Sequence, residues 1–293
     1  MINKFNKTII YAGIGLLFIL LSIIVLVLLG IFLPNNLLLE PLVTPSEYLN
    51  SIPYWTIGDT IIIVPSSTIF VYILGAITIL LGISFLKQKR EVSYWWSISM
   101  IFWGLGAILA GTSYQGLGYE LKCSGEVYCS FTSWFELSYL YVTAMSIAAL
   151  AVAIAKSILP IDKQKPLLYY AIISSIVYPI ILVLGSVLEI RFLISYELFT
   201  IFFMPLFIVF FVYSIINYRK QKDELNRTLI ITWILFLAVN VSYYVYFYLG
   251  FTESLYDNFG IWFSANDVLH VLLIIWMIYL WRKVKPLIIE ATS

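Results

Sequence analysis

The sequence predicts an all-α integral membrane bundle of eight transmembrane helices, one N-terminal helix plus a seven-helix unit. Three observations carry that prediction. The chain is 62% hydrophobic and only 11% charged, with a mean hydropathy of +0.97; soluble domains average about 45–50% apolar and about 25% charged. Eight apolar runs are long enough to cross about 30 Å of hydrocarbon. Basic residues are sorted between the two sides. The net charge of +1 offers no basic face, which excludes nucleic acid as a partner and leaves the lipid bilayer. One histidine and two cysteines are too few for haem pairs, a Cys/His zinc site or an iron–sulfur cluster, so no metal or cofactor is predicted.

The runs cover 9–33, 60–86, 94–115, 134–158, 167–188, 194–217, 228–250 and 261–281. With the N-terminus inside, fifteen of the 17 Lys and Arg residues fall on the cytoplasmic side, leaving Lys122 and Arg191 outside. Short cytoplasmic loops retain basic residues, so both termini are predicted in the cytoplasm and the plasma membrane as the location. Lys4 and Lys7 precede the first run as they would a secretory signal. The run exceeds the usual 7–15-residue core and ends at Phe32-Leu33-Pro34 without a small-x-small site, so 1–33 reads as an anchor.

Residues 34–59, with Pro41, Pro45, Pro53, Tyr54 and Trp55, are too apolar for a free linker and too proline-broken to span. They are expected on the outer membrane surface or capping the bundle. The seven-helix unit is expected over 60–285, its second span broken by Pro65, and a cytoplasmic tail over 286–293. The outer segment Cys123-Ser-Gly-Glu-Val-Tyr-Cys129 predicts a disulfide, with Ser124-Gly125 as its turn and two free thiols as the alternative. Gly104, Gly111 and Gly118 suit a close helix crossing.

Ionisable groups inside spans are costly and mark candidate sites. At about 1.5 Å per residue, Asp267, Asn240 and His270 lie roughly 18–22 Å above the cytoplasmic boundary, and Glu136, Glu197 and Gln115 near 30 Å. Asn266, Asp267 and His270 share one helical face, which lets Asp267 accept from one imidazole nitrogen. Thr132, Ser133, Glu136, Tyr139, Thr143 and Ser146 form a polar stripe; Trp233, Phe236, Asn240, Tyr243, Tyr244 and Phe247 form an aromatic wall. Together they predict an outward-facing pocket for a small molecule or lipid head group. Its expected contacts are Asn240, Asn266, Asp267, His270, Glu136, Gln115 and Tyr244. The inner half lacks ionisable groups, which disfavours a proton path and favours binding or sensing over translocation. The alternative is a lipid-modifying hydrolase or transferase with His270, Asp267 and Glu136 as catalytic candidates.

In outline the seven-helix unit resembles the microbial rhodopsins, with an echo at Asp267-Val268 on the last helix. The retinal-binding lysine of that family follows the last-helix aspartate by four residues. Here that position is Val271, so none of the family's residues carries over. The alkaline-ceramidase-like hydrolases need three histidines, and the single histidine excludes them.

Overall fold

The computed structural model describes residues 37–291, preceded by the helical positions Leu17, Leu20, Leu21 and Ile24, all exposed. Otherwise the predicted anchor, 1–33, lies outside the described residues. A short helix α1 (Pro45–Asn50) and a hairpin of β1 (Tyr54–Ile57) and β2 (Thr60–Ile63) lead into α2 (Pro65–Leu86). Then come α3 (Glu91–Ala110), a π-helical extension (Gly111–Gly116), α4 (Gly118–Lys122) and α5 (Trp134–Ile158). α6 (Ile161–Val187) is followed by a 3-10 turn (Arg191–Ile194), α7 (Tyr196–Gln221), α8 (Glu224–Tyr248), α9 (Phe251–Phe259) and α10 (Ala265–Ala291).

Six of these helices are long and apolar enough to cross a membrane: α2, α3 with its extension, α5, α6, α7 and α8. The chain is an all-α integral membrane protein. α10, 27 residues long, packs against both α2 and α8.

The predicted 134–158 span has the bounds of α5, which is also the central helix. Its apolar window is 94% buried, against 28–33% in α2, α6, α7 and α8. Six alanines between Ala144 and Ala155 are buried there, and small side chains let neighbouring backbones approach. Close approach also fixes α2 against α3. A Cβ built on Gly104 would meet the Gly75 carbonyl oxygen at 2.6 Å, and one on Gly111 would strike Val71. Gly118 instead packs on Ser113 and Ile63.

Helix starts follow side-chain chemistry. Ser133, Ser195 and Asp223 accept the N–H of Glu136, Leu198 and Asn226 at the N-termini of α5, α7 and α8. The second span begins later than predicted, and Pro65 opens the helix rather than breaking it. Residues 60–63 pair in the hairpin, Val64 turns with φ of 43°, and Pro65 takes the first helical position, where its missing N–H costs nothing. The region assigned to a tail, 286–293, is helical as far as Ala291 with Pro286 inside the helix.

Residues 37–59 cap one end of the bundle. The N–H groups of Phe131 and Cys129 donate to the Leu37 and Val43 carbonyls, and Arg191 reaches the Glu40 carbonyl at 3.1 Å. Thr44 and Glu47 close a capping box on α1, and the Thr44 N–H and hydroxyl hold the Glu47 carboxyl below its ordinary range. Cys123 and Cys129 are joined as a disulfide, so the segment that receives this cap is itself tied. Replacing both cysteines by serine is expected to cost about 2 kcal/mol through the loop entropy released. Thermal unfolding in detergent under oxidising conditions reads the loss; melting indistinguishable from wild type counts against a stabilising role.

Candidate functional site

The buried polar groups divide into three environments. Asp267 is fully buried in the first turn of α10, where its carboxylate accepts from the Ser66 hydroxyl at 3.1 Å and the Ser67 hydroxyl at 2.8 Å. It also accepts the Ser264 N–H, while Ser264 Oγ accepts the Asp267 N–H, which makes a reciprocal cap. Asp267 thus joins the start of α10 to the start of α2.

Glu136 belongs to the cap. Its carboxylate receives Lys122 Nζ at 2.8 Å and the Thr132 hydroxyl at 2.7 Å, and Lys122 also faces the rings of Tyr48 and Tyr114. Gln115 is buried in the π-helical extension, Asn266 is exposed, and neither lines the cavity described next.

That cavity, of about 510 Å³, is lined by residues of α2, α3, α5, α7, α8 and α10 in the half of the bundle nearer the disulfide. Asn240, Tyr244 and His270 are on its wall. The expected convergence of Asp267, His270, Asn240 and Glu136 does not occur. Helical phase within one helix says nothing of which neighbour covers each residue. Serines of α2 cover Asp267, whereas His270, largely buried, contributes to the cavity lining. The donors to the Asp267 carboxylate are serines, and His270 is not among them. Among the described residues no three His, Cys, Asp or Glu side chains gather to hold a metal ion.

The cavity has an aromatic floor. Phe236 lies 4.9 Å from Trp276 and 5.1 Å from Phe207, centroid to centroid, and Trp103 contacts both Phe236 and Trp276. Trp276 Nε1 donates to the Thr232 carbonyl at 2.8 Å, which fixes the floor on α8. Beyond the floor, Met204 and Ile208 of α7 and Leu237 and Val241 of α8 line the cavity and are also 49–64% exposed. Ring contacts between α7 and α8 join Phe207 and Phe210 to Trp233 and Phe236, so the helices are pinned at the floor and the wall is thin beyond it.

Nine of the lining residues carry a side-chain nitrogen or oxygen, and three of them have one that is unpaired. Asn240 Nδ2 bonds its own helix at the Phe236 carbonyl. Thr143 Oγ1, Trp233 Nε1 and His270 Nδ1 are buried without a hydrogen-bond partner. Each such atom costs free energy unless something pairs with it.

Residues 66–288 match the model of DUF6962, a family of unknown function. The chain belongs to that family. No curated protein and no solved structure matches it. The DUF6962 match begins at Ser66 and ends at Ile288, so it takes in both the Asp267 anchor and every cavity residue.

The α5 stripe divides between regions. Thr132, Ser133 and Glu136 serve the cap, Tyr139 and Thr143 line the cavity, and Ser146 donates to the Ser99 carbonyl at 2.7 Å. Of the α8 wall, Trp233, Phe236, Asn240 and Tyr244 line the cavity, whereas Tyr243 and Phe247 do not. Sequence reasoning missed α7, whose Phe199, Phe203, Phe207 and Phe211 recur every four residues along the cavity. That spacing was a visible signal.

Proposed function

We propose that the chain is a multi-pass membrane protein that binds, and by binding senses, a small hydrophobic molecule or lipid in the aromatic cavity. One observation carries the reading: about 510 Å³ of space, largely apolar in its walls, whose lining residues include three buried polar atoms without partners. Protein interiors are close-packed, and an interior space of this size falls within the range of ligand sites, about 300–1,000 Å³. The thin α7–α8 wall supports entry from the bilayer.

The finer topology has eight spans, both termini in the cytoplasm and the plasma membrane as location. Its support is the clustering of Lys and Arg at the α2–α3, α5–α6 and α7–α8 junctions and late in α10.

Ala110 lines the cavity, so Ala110→Trp fills space that packing leaves open. Mass spectrometry of organic extracts of purified wild type is expected to yield one class of hydrophobic molecule near one per chain. The variant is expected to melt no lower than wild type and to lack that molecule. Wild type that purifies without any such molecule, or a plugged variant that retains it, overturns the reading.

A further inference from the structure

We propose that the ligand is electrically neutral: a chain-bearing amphiphile whose head is a hydroxyl or carbonyl oxygen, hydrogen-bonded by His270. The inference rests on the cavity-binding reading above and narrows it to a chemical class.

Charge comes first. Among the described residues, no Lys, Arg, Asp or Glu lines the cavity. Two buried acids of the neighbouring helix starts are engaged elsewhere, Asp267 with Ser66 and Ser67, and Glu136 with Lys122. An ionised head group placed here would lose its water and gain no counter-charge, which strongly disfavours phosphate, carboxylate and ammonium alike. Aromatic rings can hold a cation through their faces. Here Phe236 stacks on Phe207 with ring planes 21° apart and lies 4.9 Å from the tilted ring of Trp276, so the floor rings already pack on one another.

Hydrogen bonding comes second. His270 is 7% exposed, and its Nδ1 has no partner. Trp233 Nε1 can only donate, and the Thr143 hydroxyl can donate or accept. An oxygen head satisfies a donor, and a hydroxyl satisfies either histidine tautomer. An alkane offers His270 nothing to pair with.

Shape comes third. The lining follows α7 from Tyr196 to Phe211, which is about 22 Å of helix, so 510 Å³ is drawn out into a slot that suits a chain.

The test uses the full chain in phosphatidylcholine vesicles and three brominated long-chain probes: an alcohol, an alkyl sulfate and an alkyltrimethylammonium. Bromine quenches tryptophan on contact, and Trp103 and Trp233 line the cavity. Quenching that the plugged Ala110→Trp variant lacks is specific to the cavity. The alcohol is expected to saturate with an affinity at least about tenfold above either charged probe. His270→Leu is expected to weaken the alcohol about tenfold, the worth of one hydrogen bond, whereas His270→Gln retains most of the binding. A charged probe that binds as tightly as the alcohol overturns the neutral-ligand proposal and leaves the cavity reading standing. So does alcohol binding that is unchanged in His270→Leu. Saturable quenching by none of the three overturns both.

Discussion

Glu136→Gln or Lys122→Met is expected to destabilise the protein by about 3–5 kcal/mol, because either change strands a buried partner of opposite polarity. The two side chains are 2% and 10% exposed and meet at 2.8 Å, with Thr132 on the second carboxylate oxygen. Joint replacement, Lys122→Met with Glu136→Leu, is expected to recover most of the loss, since a buried pair exchanged for apolar groups costs little. Thermal unfolding in detergent of the two singles and the double forms the cycle. Single variants that melt with wild type, or a double no better than the worse single, remove the pair from the account. The pH dependence has a definite sign. Burial alone would push the Lys122 ammonium down, but Glu136 and Tyr48 beside it hold it above the ordinary 10.5. A folded-state value above the unfolded one means the stabilisation is complete below 10.5 and is lost as pH rises through the higher value. Wild type is therefore expected to lose stability above that point by a step that Glu136→Gln lacks.

The apolar runs were legible because a membrane demands length and greasiness before anything else. The α5 run was legible to the residue, since Ser133 caps its start and Leu159-Pro160 closes it. Residues 60–63 were not, because Thr-Ile-Ile-Ile is as apolar as a span, and only Pro65 as a first-turn residue tells strand from helix. The disulfide was legible from spacing and side; the pairing of Lys122 with Glu136, fourteen residues apart, was not. Ser133-x-x-Glu136 and Ser264-x-x-Asp267 both carry the sequence signature of a helix start, which would have moved Asp267 from inside its predicted span to a helix end, as the rim position of Glu136 already did. The cavity left the weakest trace. A four-residue aromatic spacing on α7 reads equally as a lipid-facing ridge, and empty space is a property of how helices lean, which no residue encodes alone.

Asp267→Ala is expected to cost about 3 kcal/mol and to loosen α10 from α2, although the residue shares a helical face with His270. The carboxylate takes two serine hydroxyls from α2 and one N–H from its own helix start, with no exposure to solvent. Hydrogen bonds to a charged group are worth about 1.5–3 kcal/mol each, and the lost cap adds about 1 kcal/mol, while relaxation of the serines returns part of the sum. Asp267→Asn keeps one acceptor oxygen and nearly the same shape, so about half of the loss is expected. The two variants also separate an anchor from a catalytic partner of His270. An anchor predicts that melting temperature falls from wild type to Asn to Ala, while the folded fraction of each still saturates with the brominated alcohol. A partner that sets the imidazole tautomer predicts the reverse: near-normal melting for Asp267→Asn with cavity binding already impaired. The observed geometry favours the first, because every hydrogen bond to the carboxylate comes from a serine and none from the imidazole. Melting and probe saturation measured on the same samples decide it.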